Sequence, residues 1–573
     1  MKGLAEKTGE RSGILFPVAL GILLTLGSEA ATKAYIPVSD PGFYVRLCVY
    51  VLICVFLFKW LYSFIIRISN SDASLRDDEF RCKLFAFSYE DNAKSILSDG
   101  LKIFICWAPY ALLLYPGIIM WDTGDQIAQF YGYSAFGQEP GQIFDHHPFF
   151  DTYLFGSVIK GIHGITGSFE FGVCIFVILQ LLFAANVFAW GLAYLRSRVS
   201  STKVVQSVTL FVCLFPLFPI MYCSLVKDVI HSIVFLWWTV LLMKVVDSDL
   251  RILKNPRFLI VFFLVGMFCG LTKKTGLYIV LVVVLVVACL KGKMLLKFVL
   301  VSCGLIPCIL ITNVLPNYVY EPLNIVKGGS QSSIAVPIEM LARVAQKYPN
   351  DITSEEREAI ESYLLYSWDE IGDNYNPYIA DPVTGFNVRD ESEKGDFLKA
   401  WVSIGLRHPL TYLSAFLTIE SGWISFESLS TYADESADPV IIPQKMNVLT
   451  ATKMNPDTGG KIASADWSNS VNSMVNDLFS ALSAIPVLNV LFYICVWTAC
   501  LPIFCVYLLW RRKSSVVLWI KFAPYIISVL TLALYSVSVS ANDNVTRYMF
   551  HTVILGPFYL AIALNEVSKK YVQ

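Results

Sequence analysis

Pro148-Phe149-Phe150-Asp151-Thr152-Tyr153-Leu154-Phe155-Gly156-Ser157-Val158-Ile159-Lys160-Gly161-Ile162-His163-Gly164-Ile165-Thr166-Gly167-Ser168 decides how this chain is laid out. The stretch is apolar enough to suggest a bilayer crossing, yet Asp151, Lys160 and His163 would then lie within hydrocarbon. Charges at the centre of a membrane helix cost ~2.5–3.5 kcal/mol each. Counted as a crossing, it would also turn the basic loop Arg196–Lys203 to the face opposite two others, Arg67–Lys102 (with Arg76, Arg81 and Lys83) and Arg511-Arg512-Lys513. Read as a helix lying in the outer interface, it leaves all three loops and both termini on the cytoplasmic side, as the positive-inside pattern requires.

The rest of the composition agrees with a membrane setting. Hydrophobic residues make up 55% of 573 and charged residues 16%, with mean hydropathy +0.58, against roughly 25% charged in soluble domains. The expected fold is an α-helical polytopic bundle of twelve crossings at 13–32, 44–66, 101–120, 168–195, 204–222, 228–246, 257–272, 275–291, 294–315, 484–510, 515–540 and 548–566. Lys2, Lys7 and Arg11 precede the first, but Gly27-Ser28-Glu29-Ala30 makes a weak cleavage site, so it reads as an uncleaved span. The layout is an amino-terminal hairpin 1–66, a cytoplasmic loop 67–100, a core 101–315 with its first outer loop at 121–168, an outer domain 316–483 and closing helices 484–573.

The outer domain is acidic: 23 carboxylates face 11 Lys and Arg between Pro316 and Ser480. None of the 14 cysteines falls there, so no disulfide framework is expected and the domain needs its own core. Within it, His408–Ile424 is apolar but interrupted by Glu420 and Ser421, which suits a packed helix better than a thirteenth crossing. Asn376–Asp396 and Leu429–Gly460 read as loops. Trp368, Trp401, Trp423 and Trp467 are core candidates that would also suit flat sugar faces. There is no dinucleotide fingerprint; Gly270-Leu271-Thr272-Lys273-Lys274-Thr275-Gly276 has the wrong order for a phosphate loop. Nothing in the chain points to nucleic acid.

Chemistry concentrates in the first outer loop. Trp121-Asp122-Thr123-Gly124-Asp125-Gln126 follows the third span, and Asp145-His146-His147-Pro148 closes the loop. A helix continuing from that span would put Asp122, Asp125 and Gln126 on one face, at i, i+3 and i+4. Like charges so placed push their pKa values apart, leaving a carboxylate able to take a proton from a hydroxyl. The plain alternative is an acidic first turn of a surface helix. His146 and His147 point to different sides, so at most one of them faces Asp122. A divalent metal at this acidic loop is compatible in ligand type, although the spacing matches no zinc signature. Cations stand at the outer ends of spans, where the positive-inside rule would not put them: Lys227 beside Asp228, then Lys273 and Lys274, and Arg547 beside Tyr548 with His551 one turn on. A phosphate would repay their cost, and so would pairing with Asp228, Asp543 or lipid headgroups.

With these residues the chain resembles the GT-C superfamily of integral-membrane glycosyltransferases that use polyprenyl- or dolichyl-phosphate sugars, and more narrowly an uncharacterised bacterial branch of it. The resemblance rests on an acidic motif after a span, outer juxtamembrane helices, basic residues at the outer surface and a late outer domain. It implies a GT-C-like bundle in a bacterial plasma membrane and inverting transfer of a sugar from a polyprenyl phosphate to a carbohydrate, lipid or protein acceptor. On it, Asp122 is the base, Asp125 or His147 orients the acceptor, and Lys273, Lys274 and Arg547 take the charge developing on phosphate. Gln126, His146, Lys227, Asp228, Tyr548 and His551 join them as binding candidates. Relatives place two acids adjacent where this chain has them three apart, and the first two spans read as an appended pair. A lipid or polysaccharide transporter or flippase and a non-enzymatic envelope-assembly scaffold are the rival readings.

Overall fold

The computed structural model describes residues 12–71, 86–330, 333–385, 387–427, 429–430, 441–442, 454–455, 460–461, 466–534 and 545–569. Lys2, Lys7, Arg11, Arg76, Arg81, Lys83, Asp543 and most of the Leu429–Gly460 loop lie outside them. Helices dominate, and strands are confined to two-residue pairings. Among the described residues eight helices are long and apolar enough to cross a membrane: Leu15–Lys33, Pro41–Arg67, Ala93–Leu113, Phe169–Arg198, Lys227–Asp247, Met294–Tyr318, Val516–Leu534 and Thr546–Ser568. The molecule is an α-helical multi-pass membrane protein.

Four of the twelve expected crossings are shorter apolar helices, Thr202–Leu214, Pro256–Thr272, Lys274–Ala288 and Val496–Arg511. Prolines account for two of the breaks, because the ring removes a donor and clashes with the preceding turn. Pro216 ends the first of these helices, which restarts as Leu217–Tyr222. Pro486 lies before a separate 3₁₀ turn at Leu488–Phe492, delaying the helix expected from 484. Pro256–Thr272 and Lys274–Ala288 are joined through Lys273 alone, in an extended conformation.

The third span differs from expectation. Asn92 caps it by accepting a hydrogen bond from Ser95 N, so the helix runs Ala93–Leu113 and ends ahead of Pro116. The acidic motif therefore does not continue that span but forms its own helix, Trp121–Phe130. The deciding stretch is a helix, Phe149–Thr166, ended by Gly167 in the left-handed region; it is not among the eight. It lies against Phe169–Arg198, where a Cβ on Gly172 would sit 2.8 Å from Ile159 O.

A second hydrophobic core, separate from that of the bundle, includes Ile338, Ile360, Tyr363, Trp368, Phe397 and Ile419. Pro409–Ile419 gives Tyr412 and Ile419 to it; at about 1.5 Å per residue this helix is too short to cross hydrocarbon. Trp368 and Trp423 are buried. The amino-terminal hairpin packs against the rest of the molecule. Tyr378 OH donates to Ala31 O at 2.9 Å and Arg343 Nη2 to Ala34 O at 2.5 Å, while Phe58 packs on Phe504 and Tyr507. The thirteen described cysteines are free.

Candidate functional site

Two short parallel pairings build the site. Ile118–Ile119 runs beside Ser224–Leu225 with Ile118 opposite Ser224 and Ile119 opposite Leu225. One residue after each pair a helix begins, at Trp121 and at Lys227. Trp121-Asp122 and Lys227-Asp228 thus hold equivalent places in the first turns of neighbouring helices. Gln180 holds this junction, its Nε2 donating to Tyr222 O at 2.8 Å and Ser224 O at 3.0 Å. Ile143–Phe144 pairs in parallel with Ile325–Val326, ahead of His146-His147-Pro148 and the helix from Phe149. Gly328 lies close there, since a Cβ would come within 3.3 Å of Asp145 O and 3.4 Å of His146 Cα. Three helices carry an aspartate in the first turn, Asp122, Asp151 and Asp228, where unpaired N–H groups and the helix dipole favour negative charge.

Arg547 joins two of these helices. Its Nη1 lies 2.7 Å from Asp122 Oδ2 and its Nε 3.8 Å from Asp228 Oδ2. Lys273 Nζ lies 2.6 Å from Asp228 Oδ1. Arg547 Nη2 donates to Tyr548 OH at 2.9 Å. His147 Nε2 is 3.7 Å from Asp122 Oδ2, and Lys227 is hydrogen-bonded to His147 Nδ1. A lysine donating to Nδ1 leaves the ring proton on Nε2, facing Asp122.

The electrostatics separate the two acids of the motif. Burial works against charge on Asp122, but Arg547 foremost, with Lys227, overrules it and holds its carboxyl far below the usual range. Asp125 goes the other way, raised by burial and then by Asp122. Burial, with Lys227 and Lys274 nearby, pushes His146 down to about 4. His147 falls well below its ordinary value, from burial and then Lys227. Both imidazoles are neutral at neutral pH.

Of the residues singled out in the sequence, Asp122, His147, Lys227, Asp228, Lys273, Arg547 and Tyr548 form one cluster drawn from five parts of the chain. Asp125 stands beside it, one turn along from Asp122. His146 stacks on Phe144, ring centres 5.8 Å apart. Lys274 is at the rim, half exposed, its Nζ 2.5 Å from Asp145 O and 3.1 Å from Asp145 Oδ2. Gln126 is turned away: its Nε2 donates to Thr152 Oγ1 at 2.9 Å, tying the loop helix to Phe149–Thr166. His551 lies one turn deeper than Arg547, its ring 6.1 Å from that of His231. Sequence reasoning missed the functional candidates Asp145 and Asp151, and also Asp381, which the surrounding protein and the nearby charge of Asp122 raise above its ordinary value. Asp145 was legible, being part of the quoted motif; Asp381 opens a short helix, Asp381–Thr384, within the stretch 376–396 expected as a loop, and carries no signature. At the acidic loop Asp122 is engaged by Arg547 and His147, and among the described residues no three His, Cys, Asp or Glu side chains converge on a metal site.

Fold and site together define a multi-pass helical membrane protein with a buried cluster of opposite charges where helix amino termini meet. The chain belongs to a family of unknown function, DUF6020, whose profile matches residues 136–573. No curated protein and no solved structure matches it.

Proposed function

We propose that the protein is a GT-C-type glycosyltransferase that moves a sugar, with inversion, from a polyprenyl phosphate to an acceptor hydroxyl outside a bacterial plasma membrane. The observation that carries this reading is the ion pair between Asp122 and Arg547, 2.7 Å apart across more than 400 residues of chain, with Lys227 and Lys273 in the same cluster. Only a common site gives a reason to bring these costly groups together. Three cations, the buried Lys273 and Arg547 and the partly exposed Lys227, meet two ionised carboxylates, Asp122 and Asp228, so the cluster has a positive charge to spare for a phosphate beside helix amino termini.

On this reading the base is Asp125 rather than Asp122. A general base needs a free lone pair and a pKa brought toward working pH; Asp122 is spoken for by Arg547 and pushed the wrong way, while Asp125 is pushed the right way and partly exposed. Asp122 then positions Arg547 and, through His147, Lys227. The acceptor's oxygen bonds to the anomeric carbon as the bond to the phosphate oxygen breaks, and the hydroxyl proton passes to Asp125. The twelve-crossing arrangement belongs to the same proposal: the four shorter apolar helices complete the eight, both termini are cytoplasmic, and 121–168 and 316–483 face outward.

The decisive experiment is transfer from a purified polyprenyl-phosphate sugar to a panel of carbohydrate, lipid and peptide acceptors. Turnover by the wild type that Asp125→Asn abolishes while donor binding persists supports the enzyme. No transfer to any acceptor, together with carrier movement across vesicles containing the protein, would favour a flippase.

A further inference from the structure

Asp151 is the buried titratable group that the mechanism above leaves unused. It lies in the first turn of Phe149–Thr166, four residues after His147, and is 0% exposed. Neither carboxyl oxygen has a hydrogen-bond partner. A buried carboxylate in that position would be costly, whereas a buried carboxylic acid lacks only an acceptor for its one hydrogen. Its charged neighbours are Lys227 and Asp228, on the phosphate side of the cluster, whereas Asp125 neighbours Asp122. The helix is pinned on both sides of it, by Pro148 at its start and by the Gln126–Thr152 bond at 2.9 Å. Burial raises the Asp151 carboxyl well above its ordinary value, Lys227 opposing and Asp228 reinforcing the effect. Asp125 and Asp151 are both raised, Asp151 the further, and a pair of acids whose pKa values are separated is the mark of a base and an acid working together.

We propose that Asp151 is the proton donor to the leaving phosphate. The inference rests on the glycosyl-transfer reading above. As the acceptor oxygen closes its bond to the anomeric carbon, the carbon–oxygen bond to phosphate breaks with its electron pair on the phosphate oxygen. That oxygen takes the proton of Asp151, while Asp125 takes the proton of the acceptor. One carboxyl is lost and one gained, and solvent restores both after products leave. Lys227, partly exposed and bonded to His147 Nδ1, is the cation whose charge bears on Asp151 and which the bound anion would share.

The test joins a spectroscopic and a kinetic measurement on the full-length protein. Infrared spectra of wild type, Asp151→Asn, Asp151→Glu and Asp125→Asn at neutral pH should show, apart from the signal of other buried acids such as Glu339, a protonated-carboxyl band that Asp151→Asn removes, Asp151→Glu shifts and Asp125→Asn leaves in place. A wild type without that band, or a band indifferent to both changes at 151, overturns the proposal whether or not sugar is transferred. Absence of wild-type transfer with the band present would instead sink the glycosyltransferase reading and, with it, the donor role. In active protein, Asp151→Asn should lower kcat about 100-fold, remove the alkaline limb of the pH profile and leave KM for the donor nearly unchanged; Asp151→Glu should restore part of the rate. The other groups facing the site are Asp122, Asp228, Lys227, Lys273, Arg547 and His147. An alkaline limb that survives in Asp151→Asn would assign it to one of them and remove Asp151 from catalysis.

Discussion

At the residue scale, the ion pair of Asp122 with Arg547 makes the two acids of one helix behave differently. Asp125→Asn keeps a hydrogen-bonding group but cannot accept a proton, and should lower turnover by ~10²–10⁴ with little change in donor binding. Activity that depends on ionised Asp125 rises with pH through its pKa, which burial and the charge of Asp122 place above the ordinary carboxylate value. Asp122→Asn removes that like charge, so the acid limb of any remaining activity should move to lower pH. It also takes from Arg547 the nearer of its two carboxylates, leaving Asp228 at 3.8 Å, and breaking a buried ion pair costs up to about 3–5 kcal/mol. Thermal unfolding in detergent should therefore shift down markedly for Asp122→Asn and little for Asp125→Asn. Equal losses of stability in the two variants would remove the distinction between positioning group and base.

At the scale of elements, the sequence carried the apolar helices well because each is long and its neighbours are charged. It carried the helix Phe149–Thr166 for the same reason, through Asp151 and Lys160. What it did not carry were the two-residue parallel pairings, Ile118–Ile119 with Ser224–Leu225 and Ile143–Phe144 with Ile325–Val326. Such pairs have no periodicity to read and join residues about a hundred or more positions apart. They are what places Asp122 beside Asp228, so the site's members were legible while its assembly was not. Arg547 could be named from its unusual place at a helix end, but not its partner. The proposed orientation of the elements is open to direct labelling. Single cysteines at Ser134 and Ser392 should react with an impermeant maleimide applied to intact cells, and one at Ser200 should react only after the membrane is opened. Reaction at Ser200 from outside would invert the arrangement.

At the scale of the whole molecule, the bundle and the core at 334–419 meet at the end of the first long helix, where Arg343 reaches Ala34 O and Tyr378 reaches Ala31 O. Glu339, one turn before Arg343, is 0% exposed, and neither of its oxygens has a hydrogen-bond partner. Burial raises its carboxyl well above the ordinary value, with Arg343 opposing but not cancelling the shift. The sign follows from linkage. An acid whose folded pKa exceeds its unfolded one, ~4.3 for glutamate, keeps its proton in the folded state while the unfolded chain has released it. Folding then takes up a proton, and stability falls as pH rises from the unfolded pKa toward the folded one, by up to about 1.4 kcal/mol per pH unit. Glutamine has nearly the same shape and no charge in either state, so Glu339→Gln should raise the apparent unfolding temperature near pH 8. The gain should shrink on acidification and vanish below about pH 4, where glutamate is protonated in both states. Melting curves of wild type and Glu339→Gln across that range test the point. A variant less stable than wild type at pH 8 would mean that Glu339 is ionised in the fold and pairs with Arg343, making the junction an ion pair rather than a buried acid beside an arginine committed to backbone and hydroxyl oxygens.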